Sequence, residues 1–148
     1  MAKMIFVNLP VADVTRATAF YESLGFTKNE QFSNAQGASM QWTDTIAVML
    51  LDKALFGTFT QKKIADAFSE TTAIFALGFD DRAEVDGIVE AALASGGREL
   101  HEPEDHGFMY SRAFEDLDGH GWGPFWMDVG AHAQAMADGG AHQGGGDH

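Results

Sequence analysis

The chain contains no cysteine. That excludes disulfides, thiolate metal ligands and a cysteine nucleophile. Basic residues are scarce: nine Lys and Arg stand against 22 Asp and Glu, for a formal net charge of −13. Without a basic face the chain is not expected to bind nucleic acid, whose phosphates need one, nor to adsorb to anionic membranes. An acidic field can draw in cationic ligands, and it also keeps a protein in solution. No apolar run approaches the roughly 18 residues that span a bilayer. The opening Met-Ala-Lys-Met-Ile-Phe-Val enters a strand pattern directly and holds no secretory segment, so a cytoplasmic location is expected. Apolar bulk, by contrast, is plentiful. Hydrophobic residues make up 45% of the chain, with twelve Phe and three Trp, enough for one domain or two modules sharing a core.

The apolar pattern occurs twice. Val7, Leu9, Val11 and Asp13 lead into Ala17, Phe20, Tyr21 and Leu24. Later, Phe75, Leu77, Phe79 and Asp81 lead into Val85, Ile88, Val89 and Ala92. Each copy alternates with period two, as a half-buried strand does, then adopts the i, i+3, i+4, i+7 stripe of an amphipathic helix. Asp13 and Asp81 stand at the changeover, where a carboxylate can cap free helix N–H groups. Gly25 and the Ser95-Gly96-Gly97 run are the expected helix stops.

Strands are expected over about 4–9, 26–32, 38–42 and 46–51, the last two a hairpin about Thr43-Asp44-Thr45. A second set is expected over about 72–79, 98–102, 108–114 and 122–127. The reading is therefore α+β: two βαβββ modules, 1–52 and 71–128, whose incompletely closed sheets surround a cleft. Residues 53–70 form a connector with one or two short helices. Residues 129–148 read as a flexible Gly- and His-rich tail, in which His132, His142 and His148 make a poor specific metal site.

Two segments carry a family resemblance. Phe-Val-Asn-Leu-Pro-Val-Ala-Asp (6–13) with Ala-Phe-Tyr-Glu-Ser-Leu-Gly-Phe (19–26) resembles the opening of the vicinal oxygen chelate superfamily. That superfamily includes glyoxalase I, bleomycin-resistance proteins and extradiol dioxygenases. Asp105-His106-Gly107-Phe108-Met109-Tyr110 and Asp116-Leu117-Asp118-Gly119-His120-Gly121-Trp122 resemble the closing strands of a branch labelled lactoylglutathione lyase. The resemblance implies paired βαβββ modules, frequent dimers, and in the enzymes a divalent metal held by His and Glu on equivalent strands. Such a metal acts as a Lewis acid or activates dioxygen. It does not by itself specify a reaction.

Carried over residue by residue, the family's metal-ligand positions fall on Phe6, Leu50, Ile74 and Gly123, with Met49 replacing Leu50 if the register slips. None offers a hard donor. No cofactor is therefore expected, and the cleft is expected to bind a small molecule, lined by Phe6, Trp42, Leu50, Phe75, Phe108 and Trp122. A homodimer is expected by resemblance. Catalysis, if any, is assigned to His106, Tyr110 and Arg112, which alternation places on one strand face: a proton carrier, a phenol and a charged anchor. The same residues also read as a loop histidine, a rim tyrosine and an arginine paired to Glu115 or Asp116. Three functions follow from the resemblance: a glyoxalase-derived lyase or isomerase, a metal-independent enzyme using His106, or a non-catalytic binder in the manner of the bleomycin-resistance proteins, which capture a cationic drug. Tyr21 reads as core and His120 as a turn residue.

Overall fold

The computed structural model describes residues 3–130. Ten strands and two substantial helices repeat one plan. In the first module β1 (Ile5–Val11) leads through α1 (Val14–Ser23) to β2 (Thr27–Asn34), β3 (Gly37–Thr43) and β4 (Ile46–Asp52). These strands form a four-stranded sheet in the order β1-β4-β3-β2, with β1 parallel to β4 and the rest antiparallel. The connector starts with a short α2 (Lys53–Phe56) and a 3-10 turn (Gly57–Phe59), capped by Asp52, whose side chain accepts from the Leu55 amide.

The second module repeats the order with interruptions. β5 (Ile74–Phe79) and α3 (Arg82–Ala94) are followed by β6 (Arg98–Glu99), β7 (Glu104–Asp105), β8 (Met109–Ser111), β9 (Phe114–Glu115) and β10 (Gly121–Met127). β10 pairs in parallel with β5 on one side and antiparallel with β8 and β9 on the other. β6 and β7 pair in turn with β9 and β8. The arrangement is that of the first sheet with the counterparts of β3 and β2 each broken in two. It confirms the α+β reading with two βαβββ-type sheets.

The single strand expected over 108–114 is corrected here, as is the one over 98–102. Pro124 lies opposite the break, between the β10 residues that pair with Ser111 and Phe114. The Arg112 amide still donates to the Pro124 carbonyl (3.0 Å), but proline has no N–H to return. The ladder lapses at Arg112 and Ala113. Pro10 causes no such break in β1, because β1 pairs on one side only.

Both helices start as the sequence indicates. The Asp13 side chain accepts from the Arg16 amide (3.1 Å) and Asp81 from the Glu84 amide (2.9 Å). Gly25, with φ +105°, takes the left-handed conformation that lets the chain leave α1 for β2. The inner faces of both modules meet in one core. Leu9, Val11, Met40, Val48 and Leu50 pack with Phe20 and Tyr21 of α1, and with Leu77, Val89, Phe114 and Trp122.

Polar bonds tie the modules together at the turn before β10. The buried Asp116 carboxylate accepts from the Tyr21 hydroxyl of α1 and from the Asp118 and His120 amides (2.8 and 2.9 Å). Trp122 Nε1 donates to the Tyr21 oxygen (3.0 Å), His120 Nε2 bonds the Pro10 carbonyl (2.8 Å), and the Ala12 amide donates to Asp118 (2.8 Å). Burial first, and then the Asp116 charge, push the Tyr21 phenol well above its ordinary range. It therefore stays protonated, as a donor to Asp116 must be.

Candidate functional site

Alternation along β1 sends Val7, Leu9 and Val11 to the core and leaves Phe6 and Asn8 on the opposite face. Register then builds that outer face in rows. Phe6 lies beside Ala47, Gln41 and Thr27; Asn8 lies beside Met49, Ser39 and Asn29. The connector's first turns add Leu55 and Phe59 as a wall, and Met4, Phe32 and Leu51 complete a recess of about 430 Å³. A volume of that size, mostly apolar with a few polar groups, is typical of small-molecule sites.

Of the residues expected to line a cleft, Phe6 lies in this recess, 54% exposed. Leu50 does not. It is fully buried in the core, and its neighbour Met49 takes the cleft position. The six apolar residues of β4 hide their alternation, because its inner face is core and its outer face is recess floor. Trp42, Phe75 and Trp122 line a second recess of about 420 Å³ on the inner side, between the β1 and β5 edges. They stack there with Phe26, Trp122 tilted over Phe75 at 5.0 Å and Trp42 over Phe26 at 4.8 Å. Phe108 lies in the loop before β8, where its carbonyl accepts from the Asp128 amide (2.7 Å).

The face shared by Tyr110 and Arg112 is real but is covered by α3. The Tyr110 hydroxyl donates to Asp86 (2.6 Å), and Arg112 bonds Asp86 (2.9 Å), Glu90 (3.1 Å) and Glu99 (2.9 Å). Arg112 is buried, and its partners are these three acids, not Glu115 or Asp116. His106 sits apart on the exposed loop before Gly107. The three residues assemble no open reaction site; two of them hold the helix to its sheet.

That cluster gives an acid-stability prediction. The Tyr110 hydroxyl foremost, and Arg112 after it, hold the Asp86 carboxyl below its usual value. A value lower in the folded state means a contribution present above the unfolded pKa and lost as pH falls through the folded one. Asp86→Asn should therefore flatten the loss of stability between about pH 5 and pH 3, measured as the urea midpoint. An unchanged acid slope would show that Asp86 is not the titrating group.

The positions carried over from the resemblance can be checked for metal donors. Phe6 and Met49 occupy the outer-face positions of the first module, and Ile74 and Gly123 those of the second, with no nitrogen or oxygen side-chain donor among them. Among the described residues, no group of three or more His, Asp or Glu could hold an ion. The tail histidines expected to bind metal only adventitiously fall outside the described residues. No described helix is long and apolar enough to cross a membrane.

The fold is shared with solved structures described as glyoxalase/bleomycin resistance/dioxygenase proteins, and the opening segment is similar to a related family. Residues 3–40 match the family model of the bleomycin resistance protein-like N-terminal region. A hypothetical protein from S. aureus is 26% identical, with 85% of this chain and 95% of that one covered and a TM-score of 0.73. A glyoxalase/bleomycin resistance protein/dioxygenase family enzyme from Burkholderia phytofirmans PsJN is 16% identical (85% and 99% covered, TM-score 0.72). The fosfomycin resistance protein FosX from Mesorhizobium loti is also 16% identical (90% and 98% covered, TM-score 0.64). No curated protein matches the chain.

The sequence reading missed Ser39, Gln41, Asn8 and Asn29. Pairing β3 to β4 about the 43–45 turn would have placed Ser39 and Gln41 beside Met49 and Ala47. The Leu55 and Phe59 wall had no local signal, since it depends on how the connector folds back.

Proposed function

We propose that this chain is a small-molecule-binding member of the glyoxalase/bleomycin resistance/dioxygenase superfamily, that the outer face of the first sheet is its ligand site, and that it works there without a divalent metal. The observation that carries the reading is the recess itself: an apolar pocket at the position of the fold's cleft, with Phe6 and Met49 where a metal enzyme keeps donors. The finer resemblance, a lactoylglutathione lyase, has less support, because the carboxylates of a glutathione conjugate would meet no cation on this face. Catalysis through His106, Tyr110 and Arg112 is set aside on the geometry above.

A homodimer is part of the proposal. β1 and β5 each pair on one side only, and their free edges expose Ile5, Phe6 and Ile74. Unpaired strand edges with apolar side chains are templates for another chain. Light scattering should return twice the chain mass, and Ile74→Lys should lower it to that of a single chain.

The site is tested by methyl NMR on methionine-labelled protein against a fragment panel. Bound fragments should move the Met4 and Met49 methyls, which line the recess, and leave the buried Met40 in place. Shifts confined to other methionines would put the site elsewhere. Elemental analysis, with His132, His142 and His148 replaced by alanine, should find no stoichiometric zinc, nickel or iron; a full equivalent would overturn the metal-free reading.

A further inference from the structure

The recess on the first sheet has a property that composition would not suggest. The chain carries 22 acidic and nine basic residues, yet among the described residues none of them lines this pocket. Lys28 and Glu30 of β2 pair with each other (3.5 Å), outside the pocket lining. Asp52 at the end of β4 is spent on the Leu55 amide. On the second sheet only the β5 and β10 part of the outer face is uncharged, with Ile74, Ala76, Gly78, Gly123 and Phe125, since Glu115, Arg98 and Glu104 lie in the rows beyond it.

Within the uncharged lining one polar group stands out. Ser39 is only 1% exposed and lines the pocket. Its amide donates to Ser33 Oγ (3.0 Å), but its own hydroxyl has no hydrogen-bond partner among the described residues. A buried hydroxyl left unpaired is costly, and a ligand group that pairs with it recovers that cost. Beside it in the row stand Met49 and Asn29, and the small Ala47 lies next along β4. Phe6, Phe32 and Phe59 supply aromatic surface around them.

From these observations we infer the ligand class: an uncharged, mainly apolar molecule of about ring-pair size, bearing one hydroxyl or carbonyl that pairs with Ser39. The inference deepens the cleft reading and rests on it. An anion would enter a pocket with no cation to meet, inside a protein of net charge −13. A cation would feel the distant field, which salt screens over about 8 Å, but would find no carboxylate at contact. Each would shed water with no opposite charge to replace it. A neutral ring loses little water and gains the Phe and Met contacts.

A matched series on the full-length protein separates the possibilities. The probes are 2-naphthalenemethanol, 2-naphthoate, 2-naphthylmethylammonium and 2-methylnaphthalene, titrated with the Met4 and Met49 methyls as reporters. The neutral alcohol should bind at least about tenfold more tightly than either ion. Ser39→Ala should weaken the alcohol about fivefold and leave 2-methylnaphthalene, which has no hydroxyl, unchanged. If either ion binds as tightly as the alcohol, at the same methyls, the ligand class is wrong and the cleft reading stands. If Ser39→Ala leaves the alcohol unaffected, the assigned hydrogen bond is wrong. If no probe moves Met4 or Met49 up to about 1 mM, the cleft reading falls together with the inference.

Discussion

Asp116→Ala is expected to destabilise the protein by about 3–5 kcal/mol, the cost of removing one member of a buried hydrogen-bonded network. The carboxylate serves three donors from two parts of the chain: the Tyr21 hydroxyl, the Asp118 amide and the His120 amide. Alanine orphans all three and leaves Trp122 Nε1 bonded to a hydroxyl that has lost its own acceptor. Asp116→Asn, which keeps one carbonyl oxygen, should cost less. The pH dependence has a definite sign. Burial foremost raises the Asp116 carboxyl above its usual value, although His120 and the donated hydrogen bonds oppose this. A group raised in the folded state contributes stability that is full below the unfolded pKa and lost as pH rises through the folded one. The wild-type advantage over Asp116→Asn should thus shrink as pH rises from about 3 to 7, measured by urea unfolding. An advantage that grows over that range would mean that the hydrogen bonds to the anion outweigh its burial.

Gly119→Ala should cost about 2–4 kcal/mol for two reasons that can be separated. The residue has φ +89°, which a side chain resists. A Cβ there would also lie 2.7 Å from the Phe68 nitrogen and 2.8 Å from the Ala67 carbonyl carbon, backbone atoms of the connector. Gly107 isolates the first cause: it has φ +82° and nothing within 4 Å of an added Cβ. Gly107→Ala should cost only about 1 kcal/mol. The difference between the two melting temperatures measures how firmly the connector is seated on the turn. Equal losses would show that the connector yields freely.

Local chemistry made much of the architecture legible. Asp13 and Asp81 announce their helices because a capping carboxylate and a change of period coincide in sequence. The duplication located Phe6 for the same reason: one strand reads like its copy. Leu50 and Met49 could not be told apart, since β4 is apolar on both faces and alternation carries no information there. Alternation puts Tyr110 and Arg112 on one face, but the strand cannot say whether helix or solvent covers it. Asp86 and Glu90 on α3 decide that. Tyr21 was read as core, and it is. Its bond to Asp116 spans 95 residues and left no local trace.

Each strand of the first sheet has two faces with separate duties. The side toward α1 holds Leu9, Met40, Val48 and Leu50 in the core, while the side toward solvent holds Phe6, Ser39, Gln41 and Met49. Neighbours along one strand therefore meet different packing demands. Changes at Phe6, Gln41 or Met49 reshape the recess at little cost to folding, whereas those at Leu9 or Val48 disturb the core. The sheet is a natural scaffold for diversification: a library randomised at alternate positions of β1, β3 and β4 should retain foldable members while varying the shape of the recess.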